Sequence, residues 1–125
     1  MTAMLTLTRV LGAATAAYGV ATLVRPAILA RPAGLANATG EVPAGSSILI
    51  RAVGARDTAI GLAMVLAPAG PALRTAVSAR VASDLADAAV FGSALPEPDK
   101  RLRIAGVAGV WGALCAVAGL RTPAA

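Results

Sequence analysis

Seven ionisable side chains stand inside stretches that are otherwise apolar: Arg9, Arg51, Arg56, Asp57, Arg80, Asp84 and Asp87. An isolated charge held out of water is too costly to persist, so groups in such positions must pair with one another or face a ligand. The 3.6-residue period of a helix sorts them onto faces. Arg80, Ser83, Asp84 and Asp87 share one stripe, on which Arg80 reaches Asp84 one turn on. Arg51, Gly54, Asp57, Thr58 and Gly61 share a second, with Arg56 nearly opposite. Arg9, Gly12, Thr15, Ala16 and Gly19 share a third. Asp57 is placed to meet an arginine from a neighbouring helix.

Asp84 and Asp87 are two carboxylates three residues apart. Like charges that close favour one protonated and one ionised member, which is an acid–base couple or a step in a proton relay. Asp57, Asp84 and Asp87 are therefore the candidate catalytic groups. Arg9, Arg51, Arg56 and Arg80 are candidates for substrate binding or for structural ion pairs. Four arginines against three aspartates predict one surplus cation, which would snorkel to an interface or face an anionic ligand. A buried Arg–Asp network serves equally to fix which helices pack and in which register. Ionisable residues at membrane depth are nonetheless functional candidates by default.

The rest of the chemistry is bounded by what the chain lacks. It has no histidine, and its one cysteine, Cys115, lies in an apolar run. That removes the commonest general base and metal ligand and any intrachain disulfide. No phosphate loop, nucleophile elbow, Cys/His metal set or dinucleotide fingerprint occurs, so no cofactor is expected. Tyr18, Trp111 and Cys115 read as packing residues. Gly106, Gly109 and Gly112 read as a close-packing groove.

Composition points to a lipid environment. The 125 residues are 58% hydrophobic and only 14% charged, with a mean hydropathy of +0.77. That charge content is too low to coat a water-facing surface. Aromatics make up 2%, and the apolar residues are mostly small, which suits close helix packing in lipid better than a soluble core. The net charge is +5, yet the arginines are scattered through apolar runs, with no basic patch interleaved with aromatics. This argues against nucleic acid and for anionic lipid headgroups as partner of the loop cations.

The elements follow from proline. Pro26, Pro32, Pro43, Pro68, Pro71, Pro96, Pro98 and Pro123 leave four proline-free windows at 1–25, 44–67, 72–95 and 99–122. Each is long enough to cross ~30 Å of hydrocarbon. The expected fold is all-α, a four-helix transmembrane bundle in a single domain, with helices at about 3–25, 46–67, 72–95 and 101–121. The third helix, with Arg80, Asp84 and Asp87 near its middle, must be shielded by the others. The first helix lacks a cationic stretch before its apolar run and reads as retained rather than as a signal peptide. The first connection, 26–45, is long and is expected on the membrane surface. Loops 1 and 3 hold Arg25, Arg31, Lys100, Arg101 and Arg103, so the positive-inside rule puts them in the cytoplasm of a multi-pass cell-membrane protein. A 42-residue offset relates Arg9, Gly12, Gly19 and Pro26 to Arg51, Gly54, Gly61 and Pro68. In consecutive spans such copies would form an inverted repeat.

The strings RAVGARDTAIGLAMVLAP and ARVASDLADAAVFGSALPEPDKRLR resemble small four-helix bacterial integral membrane proteins of unknown function, and more distantly DoxX-like membrane proteins. The resemblance runs over roughly residues 5–120. It implies a polytopic four-helix fold and singles out Arg51, Arg56, Asp57, Arg80, Asp84 and Asp87, without supplying an activity. Three classes of function fit: an accessory or scaffold component, as a homo-oligomer or with a membrane partner subunit; a membrane-embedded acid–base hydrolase, isomerase or cyclase on a lipophilic substrate; and proton- or anion-linked transport by an oligomer.

Overall fold

In a computed structural model that describes residues 2–122, the described residues form five helices: α1 Ala3–Val24, α2 Ala27–Ala30, α3 Ala44–Leu66, α4 Pro71–Ala94 and α5 Pro98–Leu120. The four long helices lie within three residues of the bounds drawn from proline spacing. Pro123 is outside the described residues. Thr2 caps α1 by accepting from Leu5 N at 3.2 Å. Pro71 and Pro98 each open a helix, where the missing backbone N–H removes no internal bond. The tight turn between α3 and α4 ends on Gly70 at φ 113°, a conformation that L side chains rarely adopt.

The helices pack as two intimate pairs, α1 with α3 and α4 with α5, joined by looser α3–α4 and α1–α5 seams. Contacts along each pair run in opposite senses. Gly12 meets Gly61 while Gly19 meets Gly54, and Gly112 meets Asp84 while Gly119 meets Val77. The result is an antiparallel four-helix ring, with α2 at one end.

The α1–α3 pair is held by glycine. A Cβ on Gly61 would lie 2.4 Å from Ala16 N, and one on Gly19 would lie 2.5 Å from Thr58 N. Only glycine lets the backbones approach this closely, as in small-residue packing between membrane helices. The two contacts are copies of each other under the 42-residue offset, so a local two-fold relates α1 and α3 at this seam. Gly106 and Gly109 meet nothing within 4 Å. The expected glycine groove on α5 is therefore absent, and of those three only Gly112 packs closely.

The core is layered. At one end lie Leu11, Met64, Leu73, Ala76, Val77, Cys115 and Ala118. At the other, Leu29, Ala30 and Ile50 form one cluster and Ala33, Phe91 and Leu95 another. The first connection packs onto this end of the bundle, with Ala30 and Ala33 completely buried. Asn37 Oδ1 accepts from Thr39 N and Glu41 N and ties the rest of that connection into a turn. Glu97 of the third connection and Lys100 in the first turn of α5 lie against Gly34, so the two connections share one end of the bundle.

Outward faces are apolar. Val10, Val20, Ile48, Leu62, Leu85, Val90, Val107 and Val117 are exposed, while Asp57, Arg80 and Asp84 are buried. By length and composition, α1 and α5 are apolar enough to cross a membrane. α3 and α4 match them in length, but every 18-residue stretch of each carries at least three charges, so neither is as apolar as α1 and α5.

Candidate functional site

The ion network sits between the two core layers. Arg80, 2% exposed, donates from Nη1 to Asp57 Oδ1 at 2.8 Å and from Nη2 to Asp84 Oδ1 at 2.7 Å. The second bond is the one-turn pair that spacing predicts. The first stitches α4 to α3. Arg56 donates to both oxygens of Asp87, at 2.9 and 2.6 Å, and from Nη2 to Asp57 Oδ1 at 3.0 Å. The fork-to-fork geometry with Asp87 is the strongest form such a pair takes. Although Arg56 points away from Asp57 on a helical wheel, its long side chain sweeps round to bond its neighbour and cross to α4.

Asp84 and Asp87 are three residues apart on α4 but bond to different partners. Each is held by a different guanidinium, Asp84 by Arg80 and Asp87 by Arg56. Among the described residues, the buried side-chain atoms without a hydrogen-bond partner are Arg80 Nε and Asp84 Oδ2. Both belong to this cluster.

Arg9 and Arg51 are elsewhere. Arg9 Nη1 donates to Met64 O at 3.0 Å and Ala67 O at 2.5 Å, at the C-terminal end of α3. Arg51 Nη1 donates to Leu23 O at 2.8 Å, at the C-terminal end of α1. Each repeat arginine thus satisfies carbonyls that a helix end leaves open, at the negative pole of its partner's dipole. Removing both from the network reverses the expected charge balance. Two guanidiniums face three carboxylates, so with all five ionised the cluster carries one surplus negative charge rather than a surplus cation.

A cleft of about 290 Å³ opens onto this cluster. Asp57, Arg80, Asp84 and Asp87 form its polar wall, and Leu29 and Phe91 lie toward the end covered by α2. Ala14 and Tyr18 of α1 and Val107 of α5 line it too and are themselves exposed. The mouth therefore lies between α1 and α5, halfway along the bundle, on an apolar flank. The looseness of the α1–α5 seam has a local cause: Trp111 stands between the helices, donating from Nε1 to Thr15 Oγ1 at 3.0 Å. Gly112 leaves room for Asp84, whose Cβ would be 2.9 Å from any Cβ added there.

Sequence reasoning treated Tyr18 and Trp111 as packing and left Phe91 unremarked, yet all three line the cleft. A signal was present: the chain has one Phe, one Trp and one Tyr. Rare residue types converging on one place are informative, but spacing along separate helices does not reveal convergence. Among the described residues, no group of three His, Cys, Asp or Glu side chains is arranged to hold a metal ion. The chain matches no protein-family model, and neither a curated protein nor a solved structure is significantly similar to it.

Proposed function

We propose that this is a four-span integral membrane protein that takes a lipophilic small molecule sideways from the bilayer into the cleft between α1 and α5. The observation that carries this reading is the cleft itself, with a mouth on an apolar flank at mid-helix and a wall of ionisable groups. α1, α3, α4 and α5 are 22 to 24 residues long, or about 33–36 Å at 1.5 Å per residue, which matches the hydrocarbon thickness. The charges that lower the hydropathy of α3 and α4 are mostly turned inward, so their lipid-facing sides remain apolar. The resemblance to small four-helix membrane proteins agrees with this topology. The end bearing Arg25, Arg31, Lys100, Arg101 and Arg103 would face the cytoplasm.

Ion pairs that serve only to fix helix register need no cavity beside them. The cleft is therefore what favours a binding role over a purely scaffolding one. Acid–base catalysis on the bound molecule is a second reading. It is favoured by Asp84, a buried carboxylate that lines the cleft and whose Oδ2 has no hydrogen-bond partner. Trp111, the chain's one tryptophan, reports on the primary reading. In liposomes, phospholipids brominated mid-chain should quench Trp111 more strongly than those brominated near the headgroup, because it lies near the middle of α5. Quenching by aqueous acrylamide in preference to either bromolipid would overturn the membrane placement.

A further inference from the structure

We infer that the ligand of this cleft is a lipophilic cation, an organic ammonium with an apolar body; this deepens, and rests on, the reading of the cleft as a site for lipophilic molecules. Three independent features converge on that charge. The first is the imbalance of the wall. With all three carboxylates ionised, Arg56 and Arg80 neutralise two and leave one negative charge, so an anion entering the cleft would add to the excess and a cation would cancel it. In a low-dielectric interior an uncompensated charge of this kind is a strong attractant.

The second is Asp84. The residue is 4% exposed, its Oδ1 is engaged by Arg80, and its Oδ2 has no partner. Asp84 lines the cleft, so its under-bonded carboxylate draws a cation toward this wall through the field it sets up in a low-dielectric interior. Arg80 Nε is likewise without a partner, but the Nη groups of Arg80 and Arg56 are all bonded to carboxylates, so the charge of each guanidinium is already compensated.

The third is the lining. In a chain with one Phe, one Trp and one Tyr, all three line this cleft: Tyr18 at the mouth, Trp111 on α5, and Phe91 toward the α2 end. Aromatic rings attract cations through their negative faces, and cages of them are a recurrent solution for binding ammonium groups. All of the chain's aromatic side chains thus gather in the cleft that Asp84 lines. The apolar remainder, with Leu29, Val53, Ile104 and Val107, would accommodate the body of the molecule.

The test uses two probes of equal shape. Benzyltrimethylammonium and neopentylbenzene differ only in a charged nitrogen replaced by carbon. The full chain in nanodiscs of zwitterionic lipid is titrated with each, read by Trp111 fluorescence and by the shift in thermal stability, with empty nanodiscs correcting for partition into lipid. The expected result is saturable binding of the cation at least about tenfold tighter than of the neutral isostere. Asp84→Asn should remove most of that difference and leave the neutral probe unchanged. Should Asp84→Asn fail to fold, Tyr18→Leu at the exposed mouth should weaken the cation about three- to tenfold. Saturable binding of both probes with equal affinity overturns the cation inference and leaves the lipophilic cleft standing. Saturable binding of neither overturns both.

Discussion

Arg80→Met is the most searching single change to this bundle. Methionine keeps most of the aliphatic volume and deletes the guanidinium. Arg80 is 2% exposed and bridges Asp57 at 2.8 Å and Asp84 at 2.7 Å. The two partners would not suffer equally. Asp57 keeps Arg56 at 3.0 Å, whereas Asp84 has no other guanidinium within reach and is left as an unpaired buried carboxylate. Breaking a buried pair from one side costs about 3–5 kcal/mol, mostly the penalty of the orphaned charge. A second change that removes that charge should therefore recover stability. Arg80→Met combined with Asp84→Asn should return to within about 2 kcal/mol of the parent, so the pair should be strongly non-additive. Arg80→Lys should fall between, because one ammonium cannot span both carboxylates as a planar fork does. The measurement is reversible unfolding in mixed detergent micelles or bicelles for the parent, both single variants and the double. If Arg80→Met loses less than about 1 kcal/mol, or if adding Asp84→Asn makes it worse, the network is not the buried, mutually compensating unit described above.

Two further outcomes follow from the packing. Gly61→Ala and Gly19→Ala should each destabilise by about 1–3 kcal/mol, because the new methyl would press on backbone atoms of the facing helix; Gly106→Ala and Gly109→Ala, in open space, should gain up to about 1 kcal/mol from helix propensity, and a thermal-stability comparison of the four tests the assignment. Arg9→Gln should cost about 1–2 kcal/mol through loss of its two carbonyl bonds at the end of α3, and Arg51→Gln, which is exposed and makes one such bond, less than 1 kcal/mol or so, with Trp111 emission unchanged in both since neither arginine touches the cleft.

Much of this protein was legible along the chain because it depends on local geometry. Proline excludes itself from helix interiors, so the ends of α1, α3, α4 and α5 could be read directly. Arg80 and Asp84 are one turn apart on a single helix, and no tertiary arrangement was needed to pair them. The 42-residue echo of Arg9, Gly12 and Gly19 in Arg51, Gly54 and Gly61 was also visible along the chain, but that these glycines meet each other across the α1–α3 seam was not.

What only the tertiary structure decided was which charges share a site. Arg56 and Arg9 are the same residue type with the same reach. One crosses to Asp87 because α4 packs beside that turn of α3, and the other finds the open carbonyls at the end of α3. That difference in neighbours, invisible to spacing within one helix, turned an expected surplus cation into a surplus anion. The same holds for Tyr18, Phe91 and Trp111, which lie on three separate helices and meet only because the α1–α5 seam stays open. Chain spacing dictates the face a side chain occupies; helix order, and the length of a side chain able to leave that face, dictate what it meets.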